Sequence, residues 1–339
     1  MPSVRGLFAA LSTPFVLAAM AALLLSPASR AHADAPSSES SDAYDAQPLS
    51  GVSSSLDRRV NLPGFGNIAY RAPLPRTRGP LFVLVHGIFA GSTHRSFNEL
   101  LPLLDAAGAR VYTLDLPGTG DSRSPKRAYS MAVLDQFVEA FMDQVVDAPA
   151  TLVAESLLGV TALKVAALRP DLVARVALLS PTGVVNLEDA PSADATNLYN
   201  AVYGNDALGL LFYQTLLSDP SLRFFLGRTF VDKSKLTDAL LDEYRLARGK
   251  PGQRWISFAF VGGQLHRRFA DVAPAVRVPV LAVFGQLAES PGPTGRADNA
   301  DDFAAIRRDF QYQTIAGAGL NVHREKPDAV ARLLLDFAK

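Results

Sequence analysis

The chain has no cysteine. Disulfides, thiolate metal sites and a lipidated cysteine are therefore excluded, and an exported protein of this size must rely on its core alone. Neither sign of charge is in excess. The 33 basic and 33 acidic residues cancel to a formal zero, and no basic run is long enough to form a tail, so nothing points to a nucleic-acid partner. Histidine is scarce: of five in the chain, only His86, His94, His266 and His323 lie beyond residue 33. They form no H-x-x-x-H pair and no cluster with aspartate, so no metal site is expected. No G-x-G-x-x-G follows an apolar run, and no cofactor is expected. No repeat of solenoid period is present.

What remains is globular composition, 48% hydrophobic and 19% charged, far from a disordered balance. The first 33 residues read as a signal peptide. Arg5 gives a positive start, an apolar stretch runs from Gly6 to about Leu25, and Ala31-His32-Ala33 is a small-x-small cleavage pattern. The apolar run approaches membrane-spanning length, but Pro14 and the cleavage pattern favour removal after Ala33. The expectation is a periplasmic or secreted protein with no stable membrane insertion afterwards. The twin-arginine pair is absent. Residues 34–57 are rich in Ser, Ala and Asp without apolar period and read as a flexible linker.

Beyond the linker, short apolar runs alternate with helical patterns. The runs are Pro80–Val85, Ala109–Leu114, Ala150–Ala154, Val173–Leu179, Val278–Phe284 and Phe310–Ile315. Apolar runs without alternation suit strands buried on both faces of a parallel sheet. Between them, Leu134, Phe137, Val138, Phe141 and Val145 step by three and four, as do Val330, Leu333, Leu334 and Phe337. The fold class that follows is α/β, an open, doubly wound and mostly parallel sheet, with ligands bound beyond the carboxyl ends of the strands. From about residue 186 to 275 the pattern is helical only. That interval holds Tyr199, Tyr203, Phe212, Tyr213, Phe224, Phe225, Trp255, Phe258 and Phe260. Most are core contacts by expectation; together, set over strand ends, they imply an apolar pocket.

Three motifs fall at strand ends. Leu84-Val85-His86-Gly87-Ile88-Phe89-Ala90-Gly91-Ser92 follows the first run, and Asp115-Leu116-Pro117-Gly118-Thr119-Gly120-Asp121-Ser122 follows the second. Ala154-Glu155-Ser156-Leu157-Leu158-Gly159 follows the third, where a serine on a strand-to-helix turn would project its hydroxyl. Serine is also a good helix N-cap, but its place one strand after the Asp-Leu-Pro-Gly turn is the more telling feature.

Together these motifs resemble the α/β-hydrolase superfamily, from about Val60 to Lys339. The likeness is to the branch with a helical cap inserted after the sixth sheet strand, here about 186–275 of a domain spanning 58–339. The resemblance implies that Ser156 is the nucleophile and that oxyanion donors come from the His86-Gly87 loop, through the Ile88 or Phe89 amide, and from Leu157. A serine there disfavours the epoxide hydrolases and dehalogenases of that branch, which need a carboxylate nucleophile. Two departures matter. The acid position after the seventh strand reads Gly285-Gln286-Leu287-Ala288, with Glu289 one residue later. The histidine position reads Gly319-Leu320, with His323 three residues on.

Two readings follow. One is an exported serine hydrolase of ester-like, apolar small molecules, with Ser156 attacking, His323 or His86 as base and Glu289 orienting it. The other is a catalytically impaired or non-hydrolytic descendant that binds an apolar ligand under the cap. His266 and His94 are expected at the surface or in the cap. Asp298, Asp301 and Asp302 are expected at a solvated helix start.

Overall fold

The computed structural model describes residues 56–289 and 296–339. The expected signal peptide and all of the linker up to residue 55 lie outside the described residues. One sheet of eight strands organises the rest: β1 (Arg58–Leu62), β2 (Gly66–Arg71), β3 (Leu81–Val85), β4 (Arg110–Leu114), β5 (Ala150–Glu155), β6 (Val173–Leu179), β7 (Val280–Gly285) and β8 (Gln311–Ile315). Their order is β1-β2-β4-β3-β5-β6-β7-β8. Strands β3 to β8 are parallel, and the β1–β2 hairpin joins the β4 edge antiparallel. The doubly wound, mostly parallel sheet expected from the sequence is thus observed.

The apolar runs of the central strands feed two cores at once, because successive side chains point to opposite faces. Val83, Leu152, Ala154, Val176, Leu178 and Ala282 join one cluster, while Phe82, Leu84, Val153, Ala177, Leu179 and Val283 join the other. Strand β8 departs from this pattern. It lies at the sheet edge and its residues are exposed or half-buried, so its run is not buried on both faces as expected.

Helices α1 (Leu101–Ala106), α2 (Met131–Val145) and α3 (Leu158–Leu168) alternate with β3 to β6. In α2 the predicted face is the buried one, through Leu134, Phe137, Val138 and Phe141, and the Ser130 hydroxyl caps its start by accepting from the Val133 amide. Six helices separate β6 from β7: α4 (Ala193–Gly204), α5 (Asp206–Leu216), α6 (Asp219–Thr229), α7 (Asp238–Arg245), α8 (Arg254–Val261) and α9 (Phe269–Val272). The chain then forms α10 (Ala300–Ala304), β8, α11 (Val322–Glu325) and α12 (Pro327–Phe337). Asn299 and Asp302 make a reciprocal capping box at α10. Asp298, however, is buried rather than solvated: it accepts from the Val184 and Val185 amides and from Asn186, tying the exit of β6 to the approach to α10.

The helical insertion packs on the loops beyond the strand ends. The Phe89 ring after β3 meets Phe225 of α6 and Tyr244 of α7, with centroids 5.7 and 6.3 Å apart. Gly91, at φ 85°, has its missing Cβ position 2.8 Å from the Tyr244 carbonyl oxygen, an approach that excludes a side chain. Lys126, between β4 and α2, lies 4.7 Å from the centroid of Trp255, the only tryptophan of the chain. The Arg254 guanidinium stacks on the same ring at 3.9 Å.

Candidate active site

The strand order reverses at β3, which has β4 on one side and β5 on the other. A crevice at such a switch point is where doubly wound sheets bind ligands. The loop after β3 and the turn after β5 both open there.

Ser156 occupies that second turn at φ 53°, one of four described non-glycine residues with positive φ. A side chain held in the left-handed region costs ~1–3 kcal/mol and persists where its surroundings fix it. Here the Ser156 amide donates to Leu179 O of β6 at 2.9 Å, and its carbonyl accepts from the Gly159 amide at 3.0 Å as α3 begins. The side chain is half-buried, and its hydroxyl has no hydrogen-bond partner among the described residues. The amides of Ile88, Phe89 and Leu157 likewise donate to no acceptor among the described residues, whereas those of Gly87 and Ser156 are bonded. Gly87 sits between the two segments. A Cβ there would lie 3.3 Å from Glu155 Cδ and 3.4 Å from Ser156 Cβ, so glycine lets the β3 loop touch the serine turn.

His323 does not meet Ser156. It is fully buried on α11, its ring 5.5 Å from Phe97, and its Nε2 lies 3.0 Å from Ser96 Oγ and 4.0 Å from Glu155 Oε2. Ser96 donates its proton to Glu155 Oε2 at 2.7 Å, and the Gly87 amide donates to the same oxygen at 3.0 Å. With the Ser96 proton so committed, Ser96 Oγ accepts from His323 Nε2–H. The His323 Nδ1 lone pair is then left buried without a partner among the described residues. Burial lowers the His323 pKa, against the opposing pull of the Glu155 charge. Burial alone would raise the Glu155 pKa; the His323 charge and the bonds from Gly87 and Ser96 outweigh it and hold the carboxyl below its ordinary value.

The expected acid does not join this group. Glu289 is exposed and bridges backbone to Arg296, while Ala288 and Leu320 are half-buried. The carboxylate beside His323 comes from β5, not from the loop after β7. His86, the alternative base, is fully buried with both nitrogens engaged: Nδ1 with Gly87 O at 2.7 Å, and Nε2 with the Leu116 amide at 3.3 Å and Thr119 Oγ1 at 3.2 Å. Burial lowers its pKa. These bonds make it a brace between the β3 and β4 loops. His94 is not at the surface but 3% exposed, with Nδ1 2.8 Å from Asp115 Oδ1. Asp115 also accepts from the His94 and Asp121 amides, which gives the Asp-Leu-Pro-Gly turn its structural role. His266 is half-buried in the insertion, bonded to Gly263 O.

The turn between β8 and α12, which carries His323, is stitched to the insertion. Glu325 Oε1 accepts from the Val231 and Asp232 amides, and its Oε2 from the Gly319 amide. Arg324, 2% exposed, donates to Ser96 O and to Glu243 of α7. Sequence reasoning passed over Glu155 and Ser96. The available signal was an acidic residue in the last position of an otherwise apolar strand, directly before the serine. Among the described residues no cluster of three or more His, Asp or Glu has metal-holding geometry.

Comparison with known proteins agrees with this architecture. Over 208 residues the chain is 34% identical to the dihydrolipoyllysine-residue acetyltransferase component of the acetoin cleaving system of Pseudomonas putida, covering 61% of this chain and 51% of that protein. Over 108 residues it is 35% identical to the sn-1-specific diacylglycerol lipase ABHD11 of Mus musculus, covering 31% and 34%. The chain thus spans about half and about a third of the length of these curated relatives. An alpha/beta hydrolase fold protein from Burkholderia ambifaria superimposes with a TM-score of 0.64 at 21% identity, over 83% of this chain and 97% of that one. Residues 80–285, from the first central strand to the end of β7, match the family model for the alpha/beta hydrolase fold, and the chain belongs to that family.

Proposed function

We propose that the protein is an exported serine hydrolase of ester-like, apolar small molecules, with Ser156 as nucleophile. The observation that carries this reading is the strained Ser156 turn, whose hydroxyl and whose flanking amides, Phe89 and Leu157, have no hydrogen-bond partner among the described residues. Ser156 Oγ would add to the carbonyl carbon, and the carbonyl electrons would move to an oxygen received by those two amides. The tetrahedral centre then collapses with loss of the alcohol, and water releases the acid in a second round. The serine proton falls to His323, whose Nδ1 lone pair is unshared. Because His323 Nε2 is held by Ser96, that step requires the α11 turn to shift, and turnover is slow. The Phe89, Phe225 and Tyr244 rings supply an apolar surface beside the loop. The names of the two curated relatives, a lipase and an acetyltransferase component, both belong to acyl chemistry.

A second reading rests on the same histidine. With no base bonded to Ser156, and with Ala288 and Leu320 at the customary acid and base positions, the site would hold an apolar ligand without cleaving it. A fluorophosphonate probe separates the two. A covalent adduct on Ser156, together with ester turnover lost in Ser156→Ala, supports the hydrolase. No adduct, with saturable binding of a fatty-acid fluorophore, supports the binding protein.

A further inference from the structure

We propose that Glu155 is the positioning residue of this site: its Oε2 holds the Gly87 amide in place beside Ser156 and, through Ser96, anchors the α11 turn that carries His323. The proposal rests on the reading of Ser156 as nucleophile. Glu155 is the last residue of β5, so the strand that delivers the serine also fixes the carboxylate. One oxygen then gathers three segments distant in sequence: the loop after β3 through Gly87, the turn His94–Phe97 through Ser96, and α11 through His323. Glu155 Cδ and Ser156 Cβ press on the same empty Cβ position of Gly87, at 3.3 and 3.4 Å. A movement of the carboxylate is therefore a movement of the loop that offers the Ile88 and Phe89 amides. A carboxylate at the end of a buried strand is costly unless bonded, and this one spends its bonds on the segments a reacting carbonyl would meet. Glu155 touches neither the Ser156 hydroxyl nor, in this reading, the substrate.

The test compares Glu155→Ala, Glu155→Asp and Glu155→Gln in the full chain. The readouts are fluorophosphonate labelling of Ser156, kcat and KM on p-nitrophenyl butyrate, and hydrogen exchange of the Gly87 amide. Glu155→Ala should slow labelling and kcat about ten-fold or more while KM stays within about two-fold, as displaced oxyanion donors require, and should speed Gly87 exchange by about ten-fold. Glu155→Asp, which keeps the charge but shortens the reach, should behave alike and serves if the alanine variant fails to fold. Glu155→Gln, whose carboxamide oxygen still accepts from Gly87 and Ser96, should recover to within about three-fold of the parent. Labelling and Gly87 exchange both unchanged in Glu155→Ala or Glu155→Asp overturns the proposal, as does a folded Glu155→Gln no better than alanine. If the parent chain forms no adduct, the hydrolase reading fails by itself; Gly87 exchange then decides the role of Glu155.

Discussion

The two halves of the site are built to different standards. On the β3–β5 side, Ser156 keeps a strained backbone, Gly87 keeps a contact that leaves little room for a side chain, and the Ile88, Phe89 and Leu157 amides have no acceptor among the described residues. On the β7–α11 side, Ala288 and Leu320 stand where charge-handling groups are customary, and His323 bonds to Ser96 rather than to the serine. The lesson is that the geometry of the serine turn belongs to the sheet. It is fixed by the bond from the Ser156 amide to Leu179 O of β6 and by the start of α3. His323 belongs to a turn tied to the helical insertion through Glu325 and Arg324.

The largest effect should come from breaking the first half. Ser156→Ala should abolish fluorophosphonate labelling and reduce ester turnover to background, while the melting temperature stays within a few degrees, because the hydroxyl bonds to nothing among the described residues. Mass spectrometry of the probe adduct and a thermal scan check both parts. Next is the stitching of the second half. Glu325→Ala leaves the Val231, Asp232 and Gly319 amides without their acceptor; only the Gly319 amide is buried, and at ~1–3 kcal/mol for a buried donor left unmade, a loss of about 2 kcal/mol in urea unfolding is expected. Ser96→Ala strikes the link between the halves. It takes a partner from His323 Nε2 and a donor from Glu155, and should cost about 1–2 kcal/mol, with a fall in labelling rate smaller than that of Glu155→Ala.

The gentlest probe is pH. His86 and His323 are held below the ordinary value of 6.5 by burial. Groups with a lowered native pKa bind fewer protons folded than unfolded, so stability falls as pH drops. The loss should begin near pH 6.5 and grow by roughly 1 kcal/mol per histidine for each unit below it, until the native-state pKa is reached. Glu155, lowered from 4.5, adds its share only in more acidic solution. His323→Gln, which can still donate to Ser96, should flatten the profile between pH 7 and 5 by one histidine's contribution. An unchanged slope would show that the His323 pKa is not lowered in the native state.

Much of the fold was legible because the central strands are buried on both faces and so read as unbroken apolar runs. The β1–β2 hairpin was not read. Its first strand, Arg58-Arg59-Val60-Asn61-Leu62, is mostly exposed, and an edge strand with one wet face carries no such run. Ser156 could be found because a strand-turn-helix signature is local. Glu155, Ser96 and His323 could not be grouped, because Ser96 and His323 are 227 positions apart and only the folded sheet brings them together. His94 and Asp298 misled for a related reason: a polar side chain that has found buried partners looks, in sequence, like one that faces water.

Trp255 has a practical consequence. It is the chain's only indole, it belongs to the helices inserted between β6 and β7, and it lies beside a lysine from the sheet side. The molecule therefore carries an intrinsic fluorophore at the seam between the insertion and the sheet. Emission and quenching of that one residue, followed in stopped flow on mixing with an ester or a fatty acid, would time any separation of the insertion from the sheet without a label, a second tryptophan to subtract, or knowledge of the natural ligand.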